Sequence, residues 1–155
     1  KLLEMNVGVE EGEDWIRIYN NGVIQAANVK TLPYPGFPTD MQPQITVLLS
    51  LADGTSKIVE SVTDFRFQYT EELKRMGADI TVNGKMAMVS RPKKLKGMTV
   101  QAPDLRGGAA LIIGALAAEG ETMIQDVQFI DRGYDDIVGK LQSVGAKIVR
   151  VEDED

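Results

Sequence analysis

Apolar and polar positions along the chain fall into one pattern that occurs twice. In the first copy a mainly apolar helix candidate at 41–52 leads to Asp53-Gly54 and then to a short strand candidate at 57–62. Arg66 follows, then a helical pattern with Leu73 and Met76 on one face, closing in Gly77-Ala78-Asp79-Ile80. The second copy has the same order: apolar 107–118, Glu119-Gly120, 122–127, Arg132, then Ile137, Leu141 and Val144, closing in Gly145-Ala146-Lys147-Ile148. Asp40 and Arg106 stand 66 residues apart, as do Arg66 and Arg132. Apolar positions spaced by three and four predict helices, and alternation predicts strands. A glycine after each acidic residue suits the left-handed position that closes a helix. The spacing therefore predicts a duplicated βαβα unit, with repeats at about 30–90 and 97–151, too large for a solenoid repeat.

Helices apolar on nearly every face are buried on every face. The two that open the repeats are thus expected inside, with mixed sheets around them, in an α/β class. Strands at 15–19 and 26–29 flank Asn20-Asn21-Gly22, and a strand at 85–90 follows Asn83-Gly84; both turns read as hairpins. No linker divides residues 1–155, so they read as one domain.

Composition narrows the chemistry. The chain holds no cysteine and no histidine, which excludes disulfides, thiol nucleophiles, Cys/His metal sites and histidine base catalysis. No metal or cofactor is implied. A net charge of -6 argues against nucleic-acid or anionic-membrane binding, and the apolar run at 107–118 is too short to span a bilayer. The N-terminus carries no signal-peptide pattern, so a cytoplasmic location is expected. The chain opens on Lys1 in mid-pattern, which suggests a piece of a longer polypeptide.

Proton transfer must then fall to carboxylates, lysines, tyrosines or water. Asp40, in Pro38-Thr39-Asp40-Met41-Gln42-Pro43, opens a buried helix. It reads either as a first-turn carboxylate favoured by the helix dipole or as a general base at a cleft mouth. Arg106, in Asp104-Leu105-Arg106-Gly107-Gly108, sits where the dipole disfavours a cation. Either an anionic ligand or Asp104 offsets it. Gly107-Gly108 is better explained by close helix packing than by a phosphate loop. Arg66 and Arg132 occupy matching loops, and with Arg106 they suit a small polyanion bound through bidentate contacts. Residues 91–96 read as a basic surface loop.

Tyr34-Pro35-Gly36-Phe37-Pro38-Thr39-Asp40-Met41-Gln42, Asp104-Leu105-Arg106 and Ile130-Asp131-Arg132-Gly133-Tyr134 together resemble the C-terminal part of the UDP-N-acetylglucosamine enolpyruvyl transferases. The resemblance runs from about Val7 to Val151. It implies an inside-out α/β barrel of repeated βαβα units in a two-domain enzyme, of which this chain is an incomplete C-terminal fragment. The implied reaction moves the enolpyruvyl group of phosphoenolpyruvate to the 3-hydroxyl of UDP-N-acetylglucosamine in peptidoglycan synthesis, and so serves cell-wall biogenesis, cell shape and division. Under the resemblance Asp40 is the base, Arg66 and Arg106 hold the carboxylate of phosphoenolpyruvate, and Arg132 serves catalysis by holding its phosphate. Asp104 orients the cluster, and Val62 and Thr63 touch the nucleotide sugar through their backbone. The implied partners are the two substrates and the missing N-terminal domain, which in the family carries a cysteine proton donor on a mobile loop. Alternatives are a non-catalytic anion or nucleotide-sugar binding module of the same fold, or a shikimate 3-phosphate enolpyruvyl transferase relative, although the Lys-Glu-rich string usual before the arginine in that branch is absent.

Overall fold

A computed structural model describes residues 1–91 and 94–152. An N-terminal hairpin pairs β1 (Gly8–Glu11) with β2 (Ile16–Tyr19) antiparallel. After it, the chain runs β3 (Val29–Lys30), a 3-10 turn (Thr39–Met41), α1 (Gln42–Ser50), β4 (Thr55–Val59), α2 (Tyr69–Arg75), β5 (Asp79–Asn83) and β6 (Met86–Ser90). The second half runs β7 (Thr99–Gln101), α3 (Leu105–Ala117), β8 (Met123–Gln125), α4 (Gln128–Asp131) and α5 (Ile137–Ser143).

The strand pairing runs alike in the two halves of the chain. β3 and β4 are parallel neighbours joined through α1, and β7 and β8 are parallel neighbours joined through α3. In the first copy the sheet grows to four strands in the order β3-β4-β6-β5, with the Asn83-Gly84 hairpin joining β5 and β6. α1 lies between this sheet and α3. Its polar residues are buried together with the apolar ones, because Thr46 and Ser50 return their hydroxyls to the carbonyls of Gln42 and Val47 at 2.8 and 2.6 Å. The main core gathers Val47, Leu49, Ile58, Leu73, Val89 and Leu111, all fully buried. The paired glycines of α3 serve packing, as expected. A Cβ at Gly108 would meet Ile130 at 2.5 Å, and one at Gly107 would meet Tyr69 at 3.1 Å.

Three expectations need correction. The segment 26–29 does not pair with 15–19 across Asn20-Asn21-Gly22. The turn forms, with Asn20 accepting from the Gly22 amide at 2.9 Å, but the chain beyond it bonds elsewhere: Gln25 to Met5, and Ala26 to Asp53. β2 takes β1 as its partner instead, across a turn closed by Gly12 and Trp15. Second, no strand follows Gly145, and Val144 is 80% exposed. In the first copy β5 is held by β6; among the described residues nothing occupies the equivalent place beside 146–151, and an unpaired segment does not register as a strand. Third, Gly54 and Gly120 lie beyond the helix ends and are not the closing residues. All four repeat glycines have positive φ, but it is Gly77 and Gly145 that directly follow the C-caps. The basic loop expected at 91–96 includes Pro92 and Lys93, which lie outside the described residues.

Gly77 combines φ of +105° with a Cβ position 2.9 Å from the Lys94 carbonyl oxygen, whereas Gly120 has φ of +83° and open space around it. Gly120→Ala should cost only the left-handed strain, roughly 1–2 kcal/mol. Gly77→Ala should cost more, because backbone must also move. Urea unfolding of both variants checks this; equal losses would show that the Lys94 carbonyl yields freely.

Candidate functional site

The site begins at the end of β4. Alternation along this strand buries Ser56 and Ile58, and the next inward position is Glu60, 1% exposed. Its carboxylate accepts from Thr31 Oγ1 at 2.6 Å, Thr39 Oγ1 at 2.8 Å, and the backbone amides of Val62 and Thr63 at 3.1 and 3.2 Å. Burial alone would raise its pKa, but these donors outweigh burial and hold the carboxyl below the ordinary glutamate value of 4.5. The strand was expected to reach residue 62; it stops at Val59 because the side chain of Glu60 takes the amides of 62 and 63.

Thr39 opens the 3-10 turn that carries Asp40. Asp40 therefore precedes α1 and is neither its N-cap nor in its first turn; no side chain caps α1. Arg106 Nε donates to Asp40 Oδ1 at 2.6 Å, and Arg66 Nη1 lies 3.6 Å from the same oxygen. Arg66 also donates to the Thr39 carbonyl at 3.4 Å. Arg106, and secondarily burial and Arg66, acts on the Asp40 carboxyl, and the net effect holds it below the ordinary aspartate value of 3.8. Asp104 caps α3, accepting from the Gly107 amide at 2.6 Å. Of the two ways left open for Arg106, an anionic ligand or Asp104, the Asp104 pairing does not form; the Asp40 carboxylate offsets the cation at the helix start, and Asp104 takes an orphan amide of α3.

Arg132 follows α4, and its neighbour Gly133 packs so tightly that a Cβ there would meet the Leu105 side chain at 2.6 Å. This sets Gly133, next along the chain from Arg132, against Leu105, next along the chain from Arg106 in the first turn of α3. Its guanidinium lies over the Phe129 ring, 5.7 Å from the centroid, and not on Asp40. Val62 is 45% exposed and Thr63 half-buried. Both amides point inward to Glu60, which leaves their carbonyls and side chains as the groups able to meet a ligand.

Two guanidiniums thus share one carboxylate, on an edge formed by the starts of α1 and α3 and the loop after β4. Guanidiniums carry five donors in a fixed fork, so the pair retains capacity for an anion, on a chain that is otherwise acidic. Sequence reasoning missed Glu60. The available signal was a charged residue at an inward position of an alternating strand. Among the described residues, no group of acidic side chains is arranged to hold a metal ion, and no helix is long and apolar enough to cross a membrane.

The chain is 52% identical over 153 residues to the UDP-N-acetylglucosamine 1-carboxyvinyltransferase 3 of Caldanaerobacter subterraneus subsp. tengcongensis, covering 99% of this chain and 37% of that protein. It is 51% identical over 150 residues to the UDP-N-acetylglucosamine 1-carboxyvinyltransferase of Desulfofundulus thermocisternus, covering 97% and 62%. The chain therefore spans between about a third and two thirds of the length of these curated relatives. Among solved structures, the enolpyruvyl transferase NikO from Streptomyces tendae superposes with a TM-score of 0.86 at 30% identity, over 94% of this chain and 34% of that one. EPSP synthase from Acinetobacter baumannii shares the fold alone, at TM-score 0.60 and 18% identity over 79% of this chain and 30% of that one. With residues 1–141 matched by the family pattern of EPSP synthase (3-phosphoshikimate 1-carboxyvinyltransferase), the chain belongs to that family.

Proposed function

We propose that the protein carrying this chain transfers the enolpyruvyl group of phosphoenolpyruvate to the 3-hydroxyl of UDP-N-acetylglucosamine, releasing phosphate, in the cytoplasmic supply of peptidoglycan for cell shape and division. The observation that carries this reading is the carboxylate of Asp40 held between Arg106 and Arg66 on an exposed edge. Names of relatives about half identical along the whole chain support the choice of substrates.

Addition across an enol double bond builds positive charge at the central carbon and then a tetrahedral ketal. Asp40 takes the proton of the attacking hydroxyl. Arg66 and Arg106 fix the substrate carboxylate, and Arg132 fixes the phosphate, so the reacting carbon is set against the hydroxyl. Asp104 keeps the α3 start rigid beneath Arg106. The carbonyls of Val62 and Thr63 meet the nucleotide sugar. The methylene carbon takes its proton from a group outside this chain, which contains no cysteine. The ketal then breaks its bond to the phosphate oxygen, and the new methyl group gives up one proton, which restores the double bond in the product and releases phosphate.

The same reading extends to the architecture. The repeats at about 30–90 and 97–151 form two units of an inside-out barrel, and residues 1–155 are an incomplete C-terminal fragment of a two-domain enzyme. Leu116, Met123 and Val149, exposed and lining one open cavity of the second copy, support that arrangement.

The test is product analysis with the full-length protein. Phosphate release and a product heavier by one enolpyruvyl group are expected with UDP-N-acetylglucosamine, and none from the isolated chain. Turnover with shikimate 3-phosphate in place of the nucleotide sugar would overturn the proposed acceptor.

A further inference from the structure

Glu60 presents a question that folding alone does not answer. Burying a carboxylate is costly, and where a buried charge only fills space, apolar groups of similar volume often serve as well. What a carboxylate adds is acceptor capacity on both oxygens with no hydrogen of its own. Here that capacity is filled by donors from separate segments of the chain. Thr31 comes from the end of β3, Thr39 from the turn carrying Asp40, and the amides of Val62 and Thr63 from the turn leading to Arg66. Gln42 Nε2 approaches both Glu60 Oε1 and the Arg66 carbonyl at 3.4 Å, and is itself fixed by the buried Tyr69 hydroxyl, which donates to Gln42 Oε1 at 2.5 Å. The Thr39 carbonyl in turn accepts from the Arg66 guanidinium.

We infer that Glu60 is a positioning residue for the reaction, locking the turn that carries Asp40 to the turn that carries Arg66. Through Thr39 it fixes where the Asp40 carboxylate stands. Through the amides of Val62 and Thr63 it fixes the backbone that meets the nucleotide sugar and the start of the loop that delivers Arg66. One anchored carboxylate sets the base and the anion-binding arginine in mutual register, and it touches no substrate itself. This inference rests on Asp40 being the base, as proposed above.

The test uses the full-length enzyme. Glu60→Gln places an amide where donors already point, so one link must turn away. Thr39→Val cuts the hydroxyl link toward Asp40 together with the 3.3 Å contact between the Thr39 and Thr63 hydroxyls, and Thr31→Val cuts the link on the far side together with the bond its hydroxyl accepts from the Ser61 amide at 2.9 Å. A misplacement of about 1 Å can cost about 10²-fold in rate. Glu60→Gln and Thr39→Val are each expected to lower kcat about 10- to 100-fold, with thermal midpoints close to the parent. The double variant should be no worse than the more damaging single, because both cut one link. Thr31→Val should lower the thermal midpoint most while costing kcat clearly less than Thr39→Val, because it leaves the link to the Asp40 turn intact, a split that a purely structural Glu60 would not give. Equal kcat losses in Thr31→Val and Thr39→Val, or a kcat for Glu60→Gln near that of the parent, would overturn the inference. Asp40→Asn measured alongside separates the two readings. If it is inactive while Glu60→Gln is active, only the Glu60 inference falls; if Asp40→Asn turns over normally, the base reading falls and takes this inference with it.

Discussion

Asp40→Ala in the full-length protein is expected to lower turnover by about 10²–10⁴-fold, the usual contribution of a positioned general base. The fold should survive. The Asp40 side chain is 63% exposed, caps no helix, and its pairs with Arg106 and Arg66 lie at the surface, where ion pairs contribute about 0–1 kcal/mol. Asp40→Asn sharpens the test, because the amide oxygen still accepts from Arg106 but cannot take a proton. Equal losses in the two variants assign Asp40 to proton transfer; a mild loss in Asn alone would reduce it to an orienting group. The pH dependence has a definite sign. Arg106 holds the carboxyl below the ordinary aspartate value of 3.8, so the basic form is present above that lowered pKa and is lost only as pH falls through it. In the free enzyme, any acid limb that Asp40 contributes to kcat/KM should be centred below pH 3.8. A limb assigned to Asp40 by its disappearance in Asp40→Asn, and centred near neutrality, would contradict the Arg106 pairing.

Why Asp40 was legible in the sequence while its surroundings were less so follows from the range over which each signal acts. The repeat is written locally, in apolar helices, turn glycines and arginines at fixed offsets, and each of those features acts on a few neighbouring residues. α1, α3, β4 and the hairpin of β5 and β6 therefore stand close to where the pattern puts them. Pairing partners are another matter. Asn20-Asn21-Gly22 does turn the chain, yet nothing in those residues states that β2 has already paired with β1, or that Ala26 will bond to Asp53. The strand expected after Gly145 fails for the same reason: β-branched residues supply propensity, but a strand exists only beside a partner.

The site divides along the same line. Residue type and symmetry picked out Asp40, Arg66, Arg106 and Arg132. They did not say which acid Arg106 would meet. Asp104, two residues away, was one of two alternatives beside an anionic ligand, but a helix start claims a carboxylate for its own amides, and Asp104 answers that demand. Asp40, distant in sequence, is left for the cation. Glu60 was passed over because charged residues at strand ends are ordinarily solvated. Only the contacts from Thr31, Thr39 and the next turn make its burial tolerable, and none of those contacts is visible to a local pattern.

Arg106→Ala carries the second large expectation, and its consequences run in two directions. Arg106 stands in the first turn of α3, where the helix dipole repels it, and Asp40 holds it there in the absence of substrate. A substrate carboxylate competes for the same guanidinium. When it takes the Nε hydrogen bond, Asp40 loses the contact that most strongly lowers its pKa and becomes a better base at the moment the acceptor hydroxyl is in reach. Removing the guanidinium should therefore weaken binding of phosphoenolpyruvate and free Asp40 prematurely. Hydrogen bonds to charged groups contribute about 1.5–3 kcal/mol, so KM for phosphoenolpyruvate should rise by roughly 10- to 100-fold while KM for the nucleotide sugar changes little. Arg106→Lys should recover only part of this, because a single ammonium cannot reproduce the planar fork. The Asp40 carboxyl, followed by carbon NMR across a pH titration, should titrate at higher pH in Arg106→Ala than in the parent. If the KM change falls on the nucleotide sugar instead, Arg106 serves the other substrate and the exchange at Asp40 does not occur. If KM for phosphoenolpyruvate rises but Asp40 titrates as before, Arg106 binds the anion without governing the base, and the two roles belong to different residues.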